Sequence, residues 1–414
     1  MADSHSQVII IGGGIGGAGA ALMLGRHGVT VTLLEKEPEF TEGGYGLQLG
    51  PNITRMLRRE GLFETIRPLA VFPKRLVFRN AVSGEILNWI DCVDMERTYG
   101  APYLVMHRND LLQTLLQAAV ATGNVTLRND EKVVDFTDNG DRVSVLTEKG
   151  EVLTAEVLLA ADGVHSIVRR RFEGDKVRPT GYVAYRGTLP AEHVPADFDF
   201  DDLTVWMGPG LHFVQYGLRD GEELNQVAVF RSPAYLRGEE EWGGTEELIE
   251  RFETSGLDPR VPDGVRNLSM VRGWPMADRK PLDSWTRGRV ALLGDAAHAT
   301  LQYLAQGAGQ SLLDASSLAR NLGALGSSPW TGEKVAAAWS AYEDERRATG
   351  SRVQTTSRLW GEMWHVDTAG AVAVRDWAFR HVDRNDYSLV DWLYAPTAAD
   401  EASIADHQPI HATA

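Results

Sequence analysis

Residues 8–35 read VIIIGGGIGGAGAALMLGRHGVTVTLLE, and they indicate how the chain begins to fold. The β-branched run at 8–11 is typical of a short strand that is buried on both faces. Ala, Leu and Met recur at helical spacing over 15–27, and a second apolar run covers 29–34. The stretch therefore predicts a strand, a helix and a second strand parallel to the first.

Glycines mark the turn from the first strand into the helix. Gly12, Gly14 and Gly17 form the pattern G-x-G-x-x-G, in which the first glycine makes a tight turn. The second lets the backbone approach a pyrophosphate, the third lets the helix pack closely on the strand, and the helix N-terminus favours phosphate. Glu35 ends the second strand, where a carboxylate can accept hydrogen bonds from ribose hydroxyls. These features predict a dinucleotide site, and the spacing alone leaves FAD and NAD as alternatives.

Two later strands end in turns that pair an aspartate with a glycine. Residues 157–170 read VLLAADGVHSIVRR, so that strand ends at Asp162. Residues 290–298 read VALLGDAAH, and that strand ends in a turn containing Asp295. Taken singly, each aspartate has the alternative of a helix N-cap at a strand-to-helix turn.

The middle of the chain has a different pattern. Alternating, aromatic-rich strands occur within 73–90 and 182–231, separated by glycine-containing turns. This pattern predicts a mainly antiparallel sheet inserted into a nucleotide-binding domain that resumes near residue 273. The chain after residue 310 is predicted to be largely helical, with helices at 311–322, 332–347 and 354–364.

The composition limits the classes of protein to which the chain can belong. Its 414 residues, 43% apolar and 24% charged, predict an ordered globular protein with more than one domain. A net charge of −16 disfavours nucleic acids and anionic membranes as partners. The single cysteine, Cys92, excludes a disulfide framework, and no His, Cys or Asp cluster has the spacing of a metal site. With no signal peptide and no apolar run of about 20 residues, a cytoplasmic protein without a membrane span is expected.

The three turns together, in this order, resemble the single-component FAD-dependent aromatic hydroxylases, the para-hydroxybenzoate hydroxylase superfamily. The similarity covers residues 7–395 and is greatest to the 3-hydroxybenzoate 6-hydroxylase and salicylate hydroxylase branches. The segments that carry it are GYVAYRGT (181–188), HFVQY (212–216), LNQVAVF (224–230), LLGDAAHATLQYLA (292–305) and LWGEMWH (359–365).

The resemblance implies an α/β fold with a Rossmann-type FAD-binding domain, an inserted, mainly antiparallel β-sheet substrate domain and a helical C-terminal region. The expected division places the FAD-binding domain at 1–72, 100–180 and 273–385, the substrate domain at 73–99 and 181–272, and a C-terminal tail at 386–414.

The resemblance also implies which residues hold the cofactor. Asp295 would bind the ribityl chain of FAD, Arg108 would support its adenosine and pyrophosphate side, and Asp162 would lie near both the FAD pyrophosphate and a transient NADH or NADPH. Backbone N–H groups of the segment that begins at Gln306 would face the isoalloxazine. The full expected set is Gly12, Gly14, Gly17, Glu35, Gln48, Arg108, Val134, Asp162, Asp295, Gly307, Ala308 and Gly309.

Three residues are candidates for the chemistry. His212, Val214 and Tyr216 share one face of a strand, because side chains alternate along it. A base near a phenol promotes hydroxylation, since deprotonation pushes electron density into the ortho and para carbons. Gln302 stands where most superfamily members have proline, and glutamine there is typical of the 3-hydroxybenzoate 6-hydroxylase branch. We therefore assign His212 and Gln302 to the phenol oxygen and Tyr216 to substrate orientation, and we interpret His298 as structural.

The expected function is a flavoprotein monooxygenase that uses NAD(P)H and O2 to hydroxylate a phenolic aromatic acid. The preferred reaction converts 3-hydroxybenzoate to 2,5-dihydroxybenzoate (gentisate) through a C4a-hydroperoxyflavin. Decarboxylative salicylate 1-hydroxylase and hydroxynicotinate hydroxylase activities are alternatives, because QGAGQ (306–310) is closer to the salicylate hydroxylase pattern. A non-catalytic flavin-binding redox sensor is a remote alternative. A homodimer and a slight preference for NADH are also expected.

Overall fold

The computed structural model describes residues 6–400, apart from 42, 174–175, 197, 240–243, 255, 269–272, 327, 385 and 398–399. In this part of the chain the strands are β1 (Ser6–Ile11), β2 (Val31–Leu34), β3 (Gly46–Leu49), β4 (Ala70–Val71), β5 (Arg75–Asn80), β6 (Ile86–Asp91), β7 (Leu104–His107), β8 (Val125–Arg128), β9 (Val133–Asp138), β10 (Val143–Thr147), β11 (Val152–Ala160), β12 (Arg178–Pro190), β13 (Asp202–Gly208), β14 (Leu211–Leu218), β15 (Glu223–Arg231), β16 (Trp274–Asp278), β17 (Thr286–Arg287) and β18 (Val290–Leu292). The helices are α1 (Ile15–Arg26), α2 (Pro51–Arg59), α3 (Phe63–Ile66), α4 (Cys92–Tyr99), α5 (Arg108–Ala121), α6 (Arg169–Phe172), α7 (Pro233–Arg237), α8 (Thr245–Glu253), α9 (Arg260–Arg266), α10 (Asp295–His298), α11 (Gly307–Gly323), α12 (Gly332–Trp364), α13 (Ala369–His381) and α14 (Asp391–Tyr394).

The first sheet contains the predicted β-α-β unit. Its strand order is β17-β18-β11-β1-β2-β8, and β10 and β9 extend it from β11. β1 pairs in parallel with both β2 and β11, and β11 pairs in parallel with β18. The strands that precede the three predicted turns therefore lie side by side, and their carboxyl ends meet at one edge of the sheet. Helix α1 packs against α5 and α11.

The glycine pattern has the expected physical basis. Gly12 adopts a φ of +102°, which side chains disfavour, and a Cβ there would lie 2.3 Å from the carbonyl oxygen of Ala161. A Cβ on Gly17 would lie 1.9 Å from the carbonyl oxygen of Gly12. The turn is thus possible only with glycine at these two positions.

The second sheet is mainly antiparallel, as predicted. Its order is β16-β12-β15-β14-β13-β5-β6, and the β13–β5 pair alone in this order is parallel. Phe213 and Phe230 on one face pack with Phe252 of α8, while Val214 and Tyr216 belong to a separate apolar cluster on the other face. The sheet includes β16, which begins beyond the predicted boundary at residue 272; the division into domains stays a prediction. β3, β7 and β4 form a small third sheet.

The C-terminal region differs from prediction in one element. The two helices expected at 332–347 and 354–364 form one continuous helix, α12. Gly350 lies in its interior, and a Cβ there would be 2.6 Å from the Trp285 ring. This glycine therefore marks a close approach between α12 and its neighbour instead of a helix end.

The segment expected to be a tail packs against the protein as far as it is described. Tyr394 of α14 is buried, and its ring centre lies 5.7 Å from that of Tyr99. Residues 401–414 lie outside the described residues. Among the described helices, none combines the length and the apolar character that crossing a membrane would need.

Candidate active site

A cavity of about 500 Å³ is lined by residues from both large sheets. Gly14, Gly163 and Asp295 line it from the parallel sheet, at the three predicted turns. His212 and Val214 line it from the antiparallel sheet. A cavity of this volume suits a small-molecule or cofactor site, and its position at the carboxyl ends of parallel strands is where nucleotides bind in α/β proteins.

Some of the residues predicted to bind the cofactor line this cavity, and others do not. Gly14 is the N-cap of α1 and lines the cavity. Glu35 Oε2 accepts the N–H of Gly13 at 2.6 Å, so the carboxylate is held beside the turn but does not line the cavity. Val134 is 43% exposed on β9 and also lies outside the lining. Ribose binding by Glu35 and a cofactor contact by Val134 stay predictions.

The second predicted turn is held by its own backbone. Asp162 Oδ2 accepts the N–H of Ile167 at 2.8 Å, and Asp162 Oδ1 has no hydrogen-bond partner among the described residues. Burial raises the pKa of this carboxyl group, although nearby donors, Ser166 first among them, act in the opposite direction. Its neighbours Ala161 and Gly163 line the cavity, whereas Asp162 does not.

The third predicted turn leads into a helix N-terminus that faces the cavity. Asp295 is exposed at the start of α10 and lines the cavity. Gly307 and Ala308 begin the 17-residue helix α11 and also line the cavity, so the first N–H groups of this helix, which have no partner within the helix, lie at the cavity. Gly309 instead packs against Ile53, since a Cβ there would lie 2.4 Å from the Ile53 Cγ1.

His298 belongs to the packing beneath this turn. Its Nε2 lies 2.6 Å from Asp314 Oδ2, and Arg346 donates to Asp314 Oδ1 at 2.9 Å. Burial opposes the charge on Asp314, but His298 and Arg346 hold its pKa below the usual value. Asp314 also accepts the N–H of Gly294, so the buried cluster fixes the turn that presents Asp295.

His212 and Gln302 meet at the other side of the cavity. The Nε2 atoms of Gln302 and His212 lie 3.3 Å apart, and Arg186 donates to Gln302 Oε1 at 2.7 Å. A guanidinium can only donate, so the Gln302 oxygen faces Arg186 and its NH2 group faces His212. His212 Nε2 is therefore the hydrogen-bond acceptor, and its lone pair faces the Gln302 amide.

A second histidine, His365, contacts the first one. His365 Nε2 lies 2.6 Å from His212 Nδ1, and both rings are buried. Burial, with the nearby charge of Arg186, lowers the pKa of His212 to about 3. Burial also lowers the pKa of His365, with smaller effects from His212 and Arg375. Both imidazoles are neutral at pH 7.

Tyr216 lies behind the cavity wall. It is 2% exposed and is absent from the lining, but Gln48, which does line the cavity, interacts with it. Burial raises the pKa of its hydroxyl, which is therefore protonated. Gln48 Oε1 also accepts the hydroxyl of Tyr103 at 2.6 Å. The orienting role of Tyr216 stays a prediction, and it would act on a ligand through Gln48.

Two arginines flank Tyr45 at the cavity. Arg108, at the start of α5, lies 6.0 Å from the centre of the Tyr45 ring, and Arg186 lies 5.1 Å from it. All three residues line the cavity. Arg186 was missed by sequence reasoning, although it shares the strand face of Ala184 at period-2 spacing and is a cation within an apolar strand. His365 carried no such local signal.

The parallel-sheet side of the cavity fits FAD. Gly12 and Gly17 shape the glycine turn because a Cβ at either would clash with backbone, and the N-termini of α1 and α11 both line the cavity. Gln306 also lines it, and its Nε2 has no hydrogen-bond partner in the described part of the chain. Unpaired donors of this kind suit the pyrophosphate and the carbonyl groups of a flavin.

Comparisons with known proteins agree with this geometry. A family model described as "FAD binding domain" matches residues 5–357. The chain is 37% identical over 395 residues to 3-hydroxybenzoate 6-hydroxylase of Klebsiella oxytoca, with 94% of this chain and 96% of the relative covered. It is 35% identical over 400 residues to 3-hydroxybenzoate 6-hydroxylase of Polaromonas naphthalenivorans (strain CJ2), with 95% and 97% covered. It also matches a solved salicylate hydroxylase substrate complex with a TM-score of 0.76 at 26% identity, covering 97% of this chain and 98% of that one.

The family match spans most of the chain, and the two curated relatives are aligned with it over nearly their whole lengths. Both relatives are named as enzymes that hydroxylate an aromatic ring. The cavity of this protein provides a nucleotide side and an aromatic side within one site, as such a reaction needs. The chain therefore belongs to the single-component FAD-dependent aromatic hydroxylases, with FAD as its cofactor and NAD(P)H as the co-substrate typical of that family.

Proposed function

We propose that the protein hydroxylates 3-hydroxybenzoate to 2,5-dihydroxybenzoate, adding the new hydroxyl para to the existing one. The observation that carries this proposal is the pair formed by His212 and Gln302 on the aromatic side of the cavity. The names of the two curated relatives support the same substrate.

His212 is suited to be the base for the phenol. Its Nε2 is unprotonated at pH 7 and accepts the Gln302 N–H. A bound phenol would take the place of that N–H at Nε2, and the Gln302 amide would then donate to the phenol oxygen instead. Transfer of the phenol proton to Nε2 leaves a phenolate, whose charge is delocalised to the ortho and para carbons. The Gln302 amide, held by Arg186, orients that oxygen. Bound FAD, once reduced by NAD(P)H, supplies the activated oxygen.

Arg186 supports an aromatic acid as the substrate class. It lines the cavity and donates to the Gln302 oxygen, and it forms no ion pair with any residue that the structure describes. A partly buried guanidinium without a carboxylate partner favours a bound anion. A ring that carries both a phenol and a carboxylate can present one to His212 and the other to this cation.

The apolar walls on the aromatic side of the cavity also suit the reaction. Val205, Val214, Leu301, Tyr303 and Trp364 line the aromatic side. Tyr303 and Trp364 also pack against His212, with ring centres 5.6 Å and 5.4 Å from its own. Such walls keep water away from the reacting oxygen, which limits its loss as hydrogen peroxide.

Salicylate is the second candidate substrate. The match to the salicylate hydroxylase substrate complex favours it, as does the segment QGAGQ at 306–310. A hydroxynicotinate substrate would use the same base. A redox sensor without a substrate has no need of the His212–Gln302 pair.

The electron donor, the cellular compartment and the assembly of the enzyme can also be proposed. We propose NADH as the preferred donor, the cytoplasm as the compartment and a homodimer as the assembly. A buried free thiol, Cys92, suits a reducing compartment. Large apolar side chains exposed on α12 and α13, among them Leu359, Val374 and Trp377, suit an interface between subunits. Sedimentation equilibrium tests the dimer.

The test compares three acids with the FAD-loaded enzyme. NADH oxidation is followed with 3-hydroxybenzoate, salicylate and 6-hydroxynicotinate, while the aromatic product and hydrogen peroxide are quantified together. We expect 2,5-dihydroxybenzoate from the first acid at close to one equivalent per NADH. Rapid NADH oxidation that yields only peroxide with 3-hydroxybenzoate, or coupled turnover of salicylate instead, would overturn the proposed substrate.

A further inference from the structure

His365 is the buried polar residue that contacts the base but has no part in the reaction described above. It directly follows α12, 153 residues from His212 in the chain. The two rings are nearly parallel, with centres 4.9 Å apart and an interplanar angle of 22°. The carbonyl oxygen of His365 also accepts the N–H of Gly210, in the turn before β14. The end of α12 is therefore tied to the His212 strand by both side chain and backbone.

The hydrogen bonds around these rings favour one arrangement of protons, in which neutral His365 carries its own proton on Nδ1, an atom without a hydrogen-bond partner among the described residues. Arg186 fixes the Gln302 amide with its NH2 group towards His212, so His212 Nε2 accepts and carries no proton. The proton of neutral His212 is then on Nδ1, and it is donated to His365 Nε2. With the opposite tautomer of His212, two N–H donors would face each other between His212 and Gln302.

We propose that His365 is a positioning residue for the hydroxylation: by accepting the Nδ1 proton of His212, it holds that ring in the tautomer whose Nε2 can take the phenol proton. The inference rests on the proposed role of His212 as base. It assigns to His365 the function that an orienting acceptor has for a catalytic histidine in other enzymes.

The hydrogen bond to His365 also assists the proton transfer itself. When Nε2 takes the substrate proton, the Nδ1–H of the resulting imidazolium becomes a stronger donor. Its bond to His365 Nε2 then becomes charge-assisted, between two buried rings. Stabilisation of this kind exists after proton transfer but not before it, so it favours the phenolate.

Substitutions at His365 separate positioning from packing. His365→Gln keeps an acceptor near the Nε2 position, whereas His365→Leu removes it. Tyr182→Phe is the matched control, because the Tyr182 ring stacks on His365 at 4.2 Å without lining the cavity. We expect kcat for 3-hydroxybenzoate to fall about 100-fold in His365→Leu, with KM changed far less, since general bases contribute on the order of 10²–10⁴. His365→Gln should recover most of this loss.

A second readout does not depend on turnover. In holoenzyme with ¹⁵N-labelled histidine, NMR distinguishes protonated from unprotonated ring nitrogens, and a His212→Gln variant assigns the signals of His212. We expect His212 to be protonated on Nδ1 in wild type, Tyr182→Phe and His365→Gln, and the Nε2-protonated form to appear in His365→Leu. If His365→Leu does not fold, the wild-type tautomer and the activity of His365→Gln decide the question.

Two results would overturn the inference. One is a wild-type His212 protonated on Nε2, and the other is a folded His365→Leu enzyme with unchanged tautomer and coupled turnover. If the wild-type enzyme does not hydroxylate any of the three acids, the proposed function fails, while the tautomer measurement still decides whether His365 holds His212.

Discussion

Replacing His212 with glutamine tests the base directly. The substitution keeps a polar side chain beside Gln302 but removes the imidazole lone pair that would take the phenol proton. His212 lines the cavity from the antiparallel sheet, whereas the glycine turn follows a strand of the parallel sheet, so FAD binding should be unaffected. The hydroxylation step should become limited by the fraction of substrate that ionises without help.

The size of the effect follows from the contribution of a general base, which is on the order of 10²–10⁴ in rate. His212→Gln should therefore hydroxylate at least about 100-fold more slowly than wild type at pH 8. The variant then depends on the phenolate already present, which is about 1% at pH 8 for a phenol whose pKa is about 10, as for tyrosine. Its rate should then rise about tenfold per pH unit up to pH 9, because the phenolate fraction rises by that factor.

The assay is single-turnover product formation at pH 7, 8 and 9, with flavin content measured by absorbance. His193→Gln is a control for loss of a histidine, since His193 is exposed and lies outside the cavity lining. A His212→Gln enzyme that keeps full coupled turnover, or whose slow rate does not change with pH, would refute His212 as the base.

Three other predictions concern different parts of the site. In wild type, kcat/KM should show no acid limb near pH 6.5, because burial lowers the pKa of His212 to about 3 and the base form persists above that value; a limb near 6.5 that vanishes in His212→Gln would contradict this. Asp295→Ala should weaken FAD binding about 10- to 100-fold through loss of one charged hydrogen-bond partner, measured by flavin titration of the apoprotein; unchanged affinity would count against the ribityl contact. Gly350→Ala should cost about 1–3 kcal/mol of stability through overlap with Trp285, seen as a lower Tm; an unchanged Tm would mean that α12 can shift.

The strands and the glycine turn on the nucleotide side of the protein could be predicted from the sequence, because the signals for them are local. The turn at Gly12 requires a glycine for steric reasons that act within a few residues, and the strands on either side are continuous apolar runs. The side-chain alternation of β14 likewise placed His212 and Val214 on one face. Each of these inferences depends only on residues within one secondary-structure element or next to it.

Features that depend on packing between distant segments were not predictable. His365 meets His212 from the end of α12, and no periodicity connects positions 153 residues apart. The two helices predicted at 332–347 and 354–364 are one, and Gly350 between them lies against Trp285. Tyr216 shares the face of His212, yet the residues of β3 stand between it and the cavity. In each case the missing information is which other element packs against the residue.

His212 is assigned to take the phenol proton as the ring is hydroxylated, and the pH dependence of that step in the wild-type enzyme is the sharpest check of this role. Single-turnover hydroxylation of 3-hydroxybenzoate is measured at pH 7, 8 and 9 with wild type and His212→Gln. We predict a wild-type rate that stays constant over this range, because the base and the bound phenol are both neutral throughout it, and a His212→Gln rate that rises with the phenolate fraction. A wild-type rate that rises with pH as steeply as that of His212→Gln would contradict the assignment of His212 as the base.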